Sequence, residues 1–449
     1  MPMSRRNLKV ALCAALMASV LGAAASAQSG QERDASLTGT LPPAVAPMPS
    51  MASVPWSGQS GASGDPSMTA DAIRAAAANF GKCVDRLAPL AARHGVPRNA
   101  YGALTRGLTP DLRIMDLLDG QPEFTKSVWD YLDLLVTDSR IAQGRALVAK
   151  YVKIFDVVER EYGVDRYTIA AIWGVETNYG TLGGERPVLR STATLACIGR
   201  RQHYFRDEFL AALEILHHGD IRPERFVGSW AGAFGPTQFM PTAFKRYAVD
   251  FDHDGHRDVI DSMPDIIAST ANNLKQDGWE NGHTWGYEVV VPANFNFLLA
   301  GHEHQMSLQE WDRLGITRPD DRAFPRPEDK AFLIVPAGVQ GPGFLMLHNF
   351  RVIMRYNPAE AYALAIGHLA DRLRGGDAFV QQWPRHERML SRDERLELQQ
   401  LLARRGYDVD PDGHLGVQTR AAIRAFQARM GQVPDGFASA VILDKLRAR

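Results

Sequence analysis

A single carboxylate inside a strongly apolar stretch is the first candidate for chemistry. In the segment YTIAAIWGVETNYG, Ile169, Ile172 and Trp173 lie at helical spacing. Glu176 continues the series, so a helix would place it on the same apolar face. A carboxyl group there loses hydration, which raises its pKa toward the range that a general acid needs near neutral pH. We therefore predict that Glu176 is catalytic, although a glutamate in a helix is more commonly solvated or paired with an arginine.

Two other segments have the composition of walls around a sugar site. The first, GSWAGAFGPTQFMP, combines glycines with the amide of Gln238. The second, RYNPAEAYALAIGHLADRL, contains two tyrosines. Glycines permit close approach of a backbone to a ligand, whereas amides and tyrosines can hydrogen-bond to it or stack on it.

An acidic loop, DFDHDGHRDVID, has the spacing of a calcium-binding loop. Acids stand at loop positions 1, 3, 5, 9 and 12, and Gly255 stands at position 6. We predict a structural Ca²⁺ site, with magnesium, sodium or a solvated turn as alternatives. The predicted ligands are Asp250, Asp252, Asp254, His256 through its carbonyl, Asp258 and Asp261. The later sequence DVDPDG copies the start of this pattern but has Gly416 and Thr419 at positions 9 and 12, so it is predicted to be a turn.

Four motifs together carry a family resemblance. VETNYG, GSWAGAFGPTQFMP, YAVDFDHDGHRDVID and RYNPAEAYA occur in this order, and the chain resembles the lytic murein transglycosylase B family over roughly residues 71 to 383. The resemblance implies cleavage of the β-1,4 bond between N-acetylmuramic acid and N-acetylglucosamine in peptidoglycan, forming 1,6-anhydromuramoyl ends. It assigns Glu176 as acid and then base. It also implies substrate contacts by Tyr131, Ser229, Gln238, Tyr356, Asn357 and Tyr362.

Several alternatives stay open at the level of the motifs. Tyr131 and Tyr362 also fit a helical core, Ser229 and Gln238 could only satisfy backbone groups, and Asn357 could only cap a helix. A second acid from Asp207, Glu208 or Glu214 would allow a hydrolytic muramidase, and an inactive peptidoglycan-binding scaffold is the third possibility. The segment Ala271-Asn272-Asn273 lacks a tyrosine that many family members carry, so the resemblance assigns no residue of this segment to the site.

The predicted fold is mainly α, with a lysozyme-like helical catalytic domain, a small β insertion and a C-terminal three-helix module. Apolar residues recur mostly at helical spacing over 71–385, while GYEVVVPANFNF and AFLIVPAG favour strands. A Gly pair, a Pro and a charge run indicate a boundary near residue 385. Residues 386–449 resemble a peptidoglycan-binding module, which implies that the module holds the enzyme on its insoluble substrate.

The N-terminus indicates export. Residues 1–27 combine basic residues, an apolar run and a small-residue cleavage site, and residues 28–70 are a Pro/Ser/Gly-rich linker that we predict to be disordered. We expect a periplasmic protein of a Gram-negative bacterium, exported by the general or the twin-arginine route. There Cys83 and Cys197 could pair or remain buried thiols.

Composition and motifs limit the partners. A net charge of −1 argues against binding nucleic acid through a basic surface. No apolar run after the N-terminus is long enough to span a membrane. The motifs indicate no organic cofactor. The predicted partner is the peptidoglycan glycan strand, whereas cell-wall synthesis partners are not readable from the sequence.

Overall fold

A computed structural model describes residues 55–61, 64–118 and 126–448. The predicted signal peptide and most of the predicted linker lie outside these ranges. The last part of the linker is ordered, contrary to our prediction of disorder up to residue 70. Met68 is fully buried, Trp56 packs on the same apolar cluster, and Ser57 bonds to Asp116. These two large apolar side chains anchor a segment whose overall composition favours disorder.

Helices make up most of the described chain, as predicted. The first part contains α1 (Ala70–Ala78), α2 (Phe80–Arg93), α3 (Arg98–Thr105), α4 (Arg113–Leu117), α5 (Val128–Leu135), α6 (Asp138–Lys150), α7 (Val152–Tyr162), α8 (Arg166–Thr177), α9 (Val188–Cys197) and α10 (Gln202–His218). The second part contains α11 (Pro241–Tyr247), α12 (Met263–Gln276), α13 (Leu308–Arg313), α14 (His348–Tyr356), α15 (Glu360–Arg374), α16 (Arg392–Arg404), α17 (Val417–Arg429) and α18 (Ala440–Arg447). Short 3-10 helices cover Pro66–Met68, Phe297–Leu299 and Gly338–Gln340.

The predicted β insertion is a four-stranded antiparallel sheet. Its strands are β3 (Gly286–Val289), β4 (Met306–Ser307), β5 (Lys330–Ile334) and β6 (Gly343–Met346). They are paired in the order β3-β6-β5-β4. Strand β3 falls within GYEVVVPANFNF, and all of β5 except its first residue falls within AFLIVPAG. A separate short pair joins β1 (Arg186–Pro187) to β2 (Val227–Gly228), which leads directly into the glycine-rich segment.

Two apolar cores organise the helical part. The larger core unites residues of α5 to α8, α12, α14, α15 and the sheet. The second core unites residues of α1 to α4 with α9 and α10. In this second core a disulfide joins Cys83 of α2 to Cys197 of α9, with Cα atoms 6.0 Å apart. The structure thus favours pairing over the alternative of two separate thiols.

The C-terminal module consists of α16, α17 and α18 around a core of its own, as predicted. The connection that precedes it lies against the catalytic part. Trp383 contacts Trp129 at a ring distance of 6.0 Å, and Arg385 forms an ion pair with Asp133 of α5. Within the described residues, no helix combines the length and the hydropathy that a membrane crossing needs.

Candidate active site

Glu176 lies in the last turn of α8 and is 6% exposed. The helix begins at Asp165, whose carboxylate accepts the backbone N–H of Tyr167. Every residue from Thr168 to Thr177 is buried. The expectation of one apolar face was therefore too narrow, because neighbouring elements surround the helix on all sides.

Tyr362 of α15 contacts the Glu176 carboxyl group directly. Its hydroxyl donates a hydrogen bond of 2.6 Å to Oε1 of Glu176, and the tyrosine is fully buried. The bond joins residues that are 186 positions apart in the chain. Two of the predicted site residues are therefore in direct contact.

The turn after Glu176 is held by a buried arginine that the sequence did not single out. Asn178 and Tyr179 both have positive φ, at 47° and 58°, so the helix ends abruptly after the candidate acid. Arg140 donates to the side-chain oxygen of Asn178 at 3.1 Å and to the carbonyls of Leu134 and Leu135 at the end of α5. Burial lowers the pKa of Arg140. The arginine thereby ties the turn to the helix that carries Tyr131.

Tyr131 itself is 3% exposed on α5 and belongs to the larger apolar core. Its ring is thus packed with the same cluster that contains Tyr356 and Tyr362. This placement agrees with the interpretation of Tyr131 as a core aromatic, and its contact with substrate stays a prediction.

The glycine-rich segment is attached to α8 and α14 by side-chain bonds to its carbonyls. Thr177, which follows Glu176, donates to the carbonyl of Pro236 at 2.6 Å, and the Tyr356 hydroxyl donates to that of Thr237. Gln238 has a φ of 54° and its side-chain amide donates to the Gly235 carbonyl at 2.9 Å. These contacts fix the backbone of the segment next to the candidate acid.

Ser229 and Asn357 both support turns. The Ser229 hydroxyl accepts the N–H of Ala233 at 3.1 Å, and the Asn357 side-chain oxygen accepts that of Ala359 at 3.1 Å. Both residues are buried, at 4% and 1% exposure. Both side chains therefore satisfy backbone N–H groups, as the alternative interpretation predicts.

Two of the three candidates for a second acid are bound to other groups. Glu208 accepts the backbone N–H and the hydroxyl of Thr242, and burial raises its pKa. Glu214 binds His94 through one oxygen and Lys245 through the other. Asp207 is exposed. The two buried acids are thus committed to structural contacts.

The acidic loop brings three of its predicted ligands together. Carboxylate oxygens of Asp250, Asp252 and Asp254 lie within 4.8 Å of one another. Gly255 has a φ of 94°, and its N–H donates to Asp250 at 3.0 Å. Oxygen donors of this kind suit a hard cation such as Ca²⁺. The donor set therefore fits the predicted ion.

The remaining predicted ligands have other contacts. The N–H of His256 donates to Asp254, and Asp258 accepts the N–H groups of Ile260 and Asp261. The Asp261 carboxylate forms an ion pair with Arg225. An aspartate at position 12 has a shorter reach than a glutamate, which is consistent with this pairing away from the cluster. The places of these three residues among the ligands stay predictions.

A buried aspartate beside the loop was missed from the sequence. Asp265 is fully buried in the first turn of α12 and accepts the N–H groups of Phe251 and Asp258 at 2.7 and 2.8 Å. Burial raises its pKa to about 6. Asp265 therefore holds the backbone of the acidic loop to the first turn of α12, and only the tertiary structure shows this role.

Comparison with protein families places these features in a known group. Residues 79–371 match the family described as transglycosylase SLT domain, and residues 391–446 match the putative peptidoglycan binding domain. The chain is also 31% identical over 268 residues to membrane-bound lytic murein transglycosylase B of Escherichia coli, covering 57% of this chain and 72% of that protein. The chain belongs to the transglycosylase SLT domain family. It is a lytic transglycosylase acting on peptidoglycan, which confirms the resemblance drawn from the motifs.

Solved structures support this assignment. The transglycosylase is 44% identical to SltB3 of Pseudomonas aeruginosa in complex with NAG-anhNAM-pentapeptide, with a TM-score of 0.78 over 82% of this chain and 99% of that one. It is 28% identical to the Escherichia coli lytic transglycosylase Slt35 in complex with calcium, with a TM-score of 0.56 over 66% of this chain and 92% of that one. The lysozyme-like fold predicted for the transglycosylase is confirmed.

Proposed function

We propose that Glu176 is the one residue that moves protons in the reaction. In the first step its carboxylic acid protonates the glycosidic oxygen, while the bond from that oxygen to C1 of N-acetylmuramic acid breaks. In the second step the Glu176 carboxylate takes the proton from the C6 hydroxyl, and O6 closes on C1. The products are a 1,6-anhydromuramoyl end and a free 4-hydroxyl on N-acetylglucosamine, so no water is consumed.

The observation that carries this proposal is the buried bond from Tyr362 to Glu176. A hydroxyl donor favours the carboxylate, which is the form present between the two steps. The buried setting limits competition by water for the carboxyl group. Attack by the sugar's own hydroxyl also has an entropic advantage, because nucleophile and electrophile belong to one residue.

We also propose that the remaining candidates line the substrate cleft around Glu176. Their contacts support this role by fixing the glycine-rich segment and the Tyr356–Tyr362 segment close to the acid. The residues concerned are Tyr131, Ser229, Gln238, Tyr356, Asn357 and Tyr362.

The test is the chemistry of the released fragments. Glu176→Gln keeps the shape of the side chain but cannot give and take a proton, so we expect it to lose sacculus lysis while still binding sacculi. Glu224→Gln, an exposed glutamate in the same domain, is the matched control and should lyse as the natural protein does. Equal lysis by Glu176→Gln would overturn the assignment.

A hydrolytic muramidase is the second candidate, because it would cut the same bond with one carboxyl group as acid. Mass spectrometry of the released muropeptides distinguishes the two reactions, since an anhydro end is one water lighter than a hydrolysed end. We expect anhydro ends, because both buried acids first considered as partners are bound to other groups. A product consisting of reducing ends would favour the muramidase.

We further propose that the acidic loop binds Ca²⁺ and that the ion is structural. A bound cation would offset the repulsion among Asp250, Asp252 and Asp254, and the relative Slt35 was solved in complex with calcium. In chelator, Asp254→Asn should raise the melting temperature by relieving repulsion. With Ca²⁺ the same variant should melt below the natural protein, since it loses a ligand. Asp410→Asn, in the loop that copies only the start of the pattern, should melt as the natural protein does in chelator and in Ca²⁺. If Ca²⁺ changes the melting temperature of neither the natural protein nor Asp254→Asn, the calcium site is contradicted.

We propose that the protein is exported to the periplasm of a Gram-negative bacterium. The basic, apolar and small-residue sections of residues 1–27 support export, and the disulfide suits an oxidising compartment. Cell fractionation followed by N-terminal sequencing should find the protein in the periplasm and beginning after Ala27. Recovery in the cytoplasm with residues 1–27 retained would contradict this proposal.

A further inference from the structure

A partly buried glutamate, with a side chain 16% exposed, joins the catalytic domain to the C-terminal module. Glu360 lies in the first turn of α15, where His302 contacts its Oε1 at 2.7 Å. Arg420 of the module helix α17 lies 3.7 Å from its Oε2. Burial opposes ionisation of Glu360, but the bond with His302 and the charges of Arg420 and Arg424 outweigh it and lower the pKa to about 2. Glu360 is therefore an anion held between the two parts of the protein.

The module is docked on the catalytic domain through further contacts around this glutamate. Arg420 also donates to the carbonyl of Pro336 at 3.3 Å, and Asp435 of the module accepts the N–H of Val339 at 3.1 Å. Gly338 has a φ of 64°, and a Cβ there would lie 2.4 Å from Asp435, so the two surfaces approach as closely as a glycine allows. A module that served only as a tether would not need such contacts.

The docking surface is continuous with the candidate active site. Glu360 precedes Tyr362 by two residues, and Tyr362 bonds to Glu176. Asn357 holds the N–H of Ala359 at the entry to the same helix. The segment from Tyr356 to Tyr362 thus contacts Glu176 and the glycine-rich segment on one side and the module on the other.

We propose that the C-terminal module positions the Tyr356–Tyr362 segment for catalysis, with Arg420 and Glu360 as positioning residues. Loss of the ion pair frees the first turn of α15, and the Tyr362 hydroxyl then meets Glu176 in a smaller fraction of molecules. The inference rests on the proposed role of Glu176 and adds a function for the module besides holding the wall. Couplings of this kind change turnover by about 2- to 30-fold.

The decisive measurement separates turnover from wall binding. Soluble glycan fragments do not need to be held by the module, so kcat and KM on them report the active site alone. We expect Arg420→Ala and Glu360→Gln to lower kcat on soluble fragments by about 2- to 30-fold with little change in KM. Arg420→Lys should recover part of the loss. Binding to sacculi, measured by pelleting, should be unchanged in all three.

The controls identify which idea fails. Arg429→Ala removes an exposed arginine from the end of the same helix and should leave kcat unchanged. Combining Arg420→Ala with Glu360→Gln should cost no more than the larger single change, because both remove one interaction. If Arg420→Ala turns over soluble fragments at the natural rate, the module does not position the site. If Glu176→Gln, assayed alongside, also retains turnover, the proposed catalytic role itself is wrong.

Discussion

Removal of the Tyr362 hydroxyl tests the site with a change of one atom. Tyr362→Phe leaves the buried ring in place and deletes the 2.6 Å bond to Glu176. A hydrogen bond to a charged group contributes about 1.5–3 kcal/mol. Glu176 becomes a carboxylate in the first step, so loss of that contribution raises the barrier to this step by up to the same amount. A tenfold change in rate corresponds to about 1.4 kcal/mol, so kcat should fall by about 10- to 150-fold.

The assay is the rate of release of anhydromuropeptides from soluble glycan fragments across a range of pH. Because the lost donor favours the ionised form, the limb of the pH profile that reports Glu176 should move to higher pH. Tyr179→Phe is the matched control. Tyr179 lies three residues beyond Glu176, and its buried hydroxyl has no hydrogen-bond partner among the described residues. This variant should leave kcat nearly unchanged. A natural kcat and pH profile in Tyr362→Phe would refute the claim that this contact assists catalysis.

Three further changes test the scaffold. Burial lowers the pKa of His368 to about 3, so the unfolded chain binds the proton more tightly than the folded protein does. The free energy of unfolding therefore decreases as the pH falls below about 6.5. In urea melts, His368→Phe should lessen this decrease between pH 7 and pH 5 by about 2 kcal/mol. Replacing Cys83 and Cys197 by serine should lower the free energy of unfolding by about 2–4 kcal/mol, because the bond closes a separation of 114 residues, and superimposable denaturation curves would exclude this role. Gly184→Ala should reduce both stability and kcat, because its Cβ would lie 1.8 Å from a carbonyl oxygen of β2, whereas Gly183→Ala, with open space, should reduce neither.

The sequence predicted the parts of the site that lie in short, regular patterns. The spacing that places Glu176 on an apolar face depends only on helical geometry, and α8 confirms the helix. The β insertion followed from clustered β-formers, and β3 and all of β5 except its first residue lie in those segments. Patterns of this kind are visible because residues close in the chain are also close in the element.

The contacts that hold the site were not predictable because they join distant segments. From the sequence alone, Arg140 of α6 would be expected to be a surface arginine. In the structure it is 7% exposed and donates a hydrogen bond to Asn178 in the turn after Glu176. The sequence indicates only that Thr177 lies near the end of a helix. In the structure its hydroxyl donates to the carbonyl of Pro236, 59 positions along the chain. The order at residues 55–61 and 64–70 was missed for the same reason, since composition alone does not show that Met68 enters the second core. Each case depends on which elements pack together.

The position of Glu176 is better explained by catalysis than by folding. Burying a carboxyl group costs free energy, and apolar replacements of buried ionic groups are commonly neutral or stabilising. The turn that follows adds cost, because Asn178 and Tyr179 both adopt the left-handed region that favours glycine. A sequence selected only for stability would fill this part of α8 with apolar residues and end it with a glycine. The surrounding contacts from Arg140, Thr177 and Tyr362 offset part of that cost, and they do so beside the carboxyl group that we propose as proton donor and acceptor.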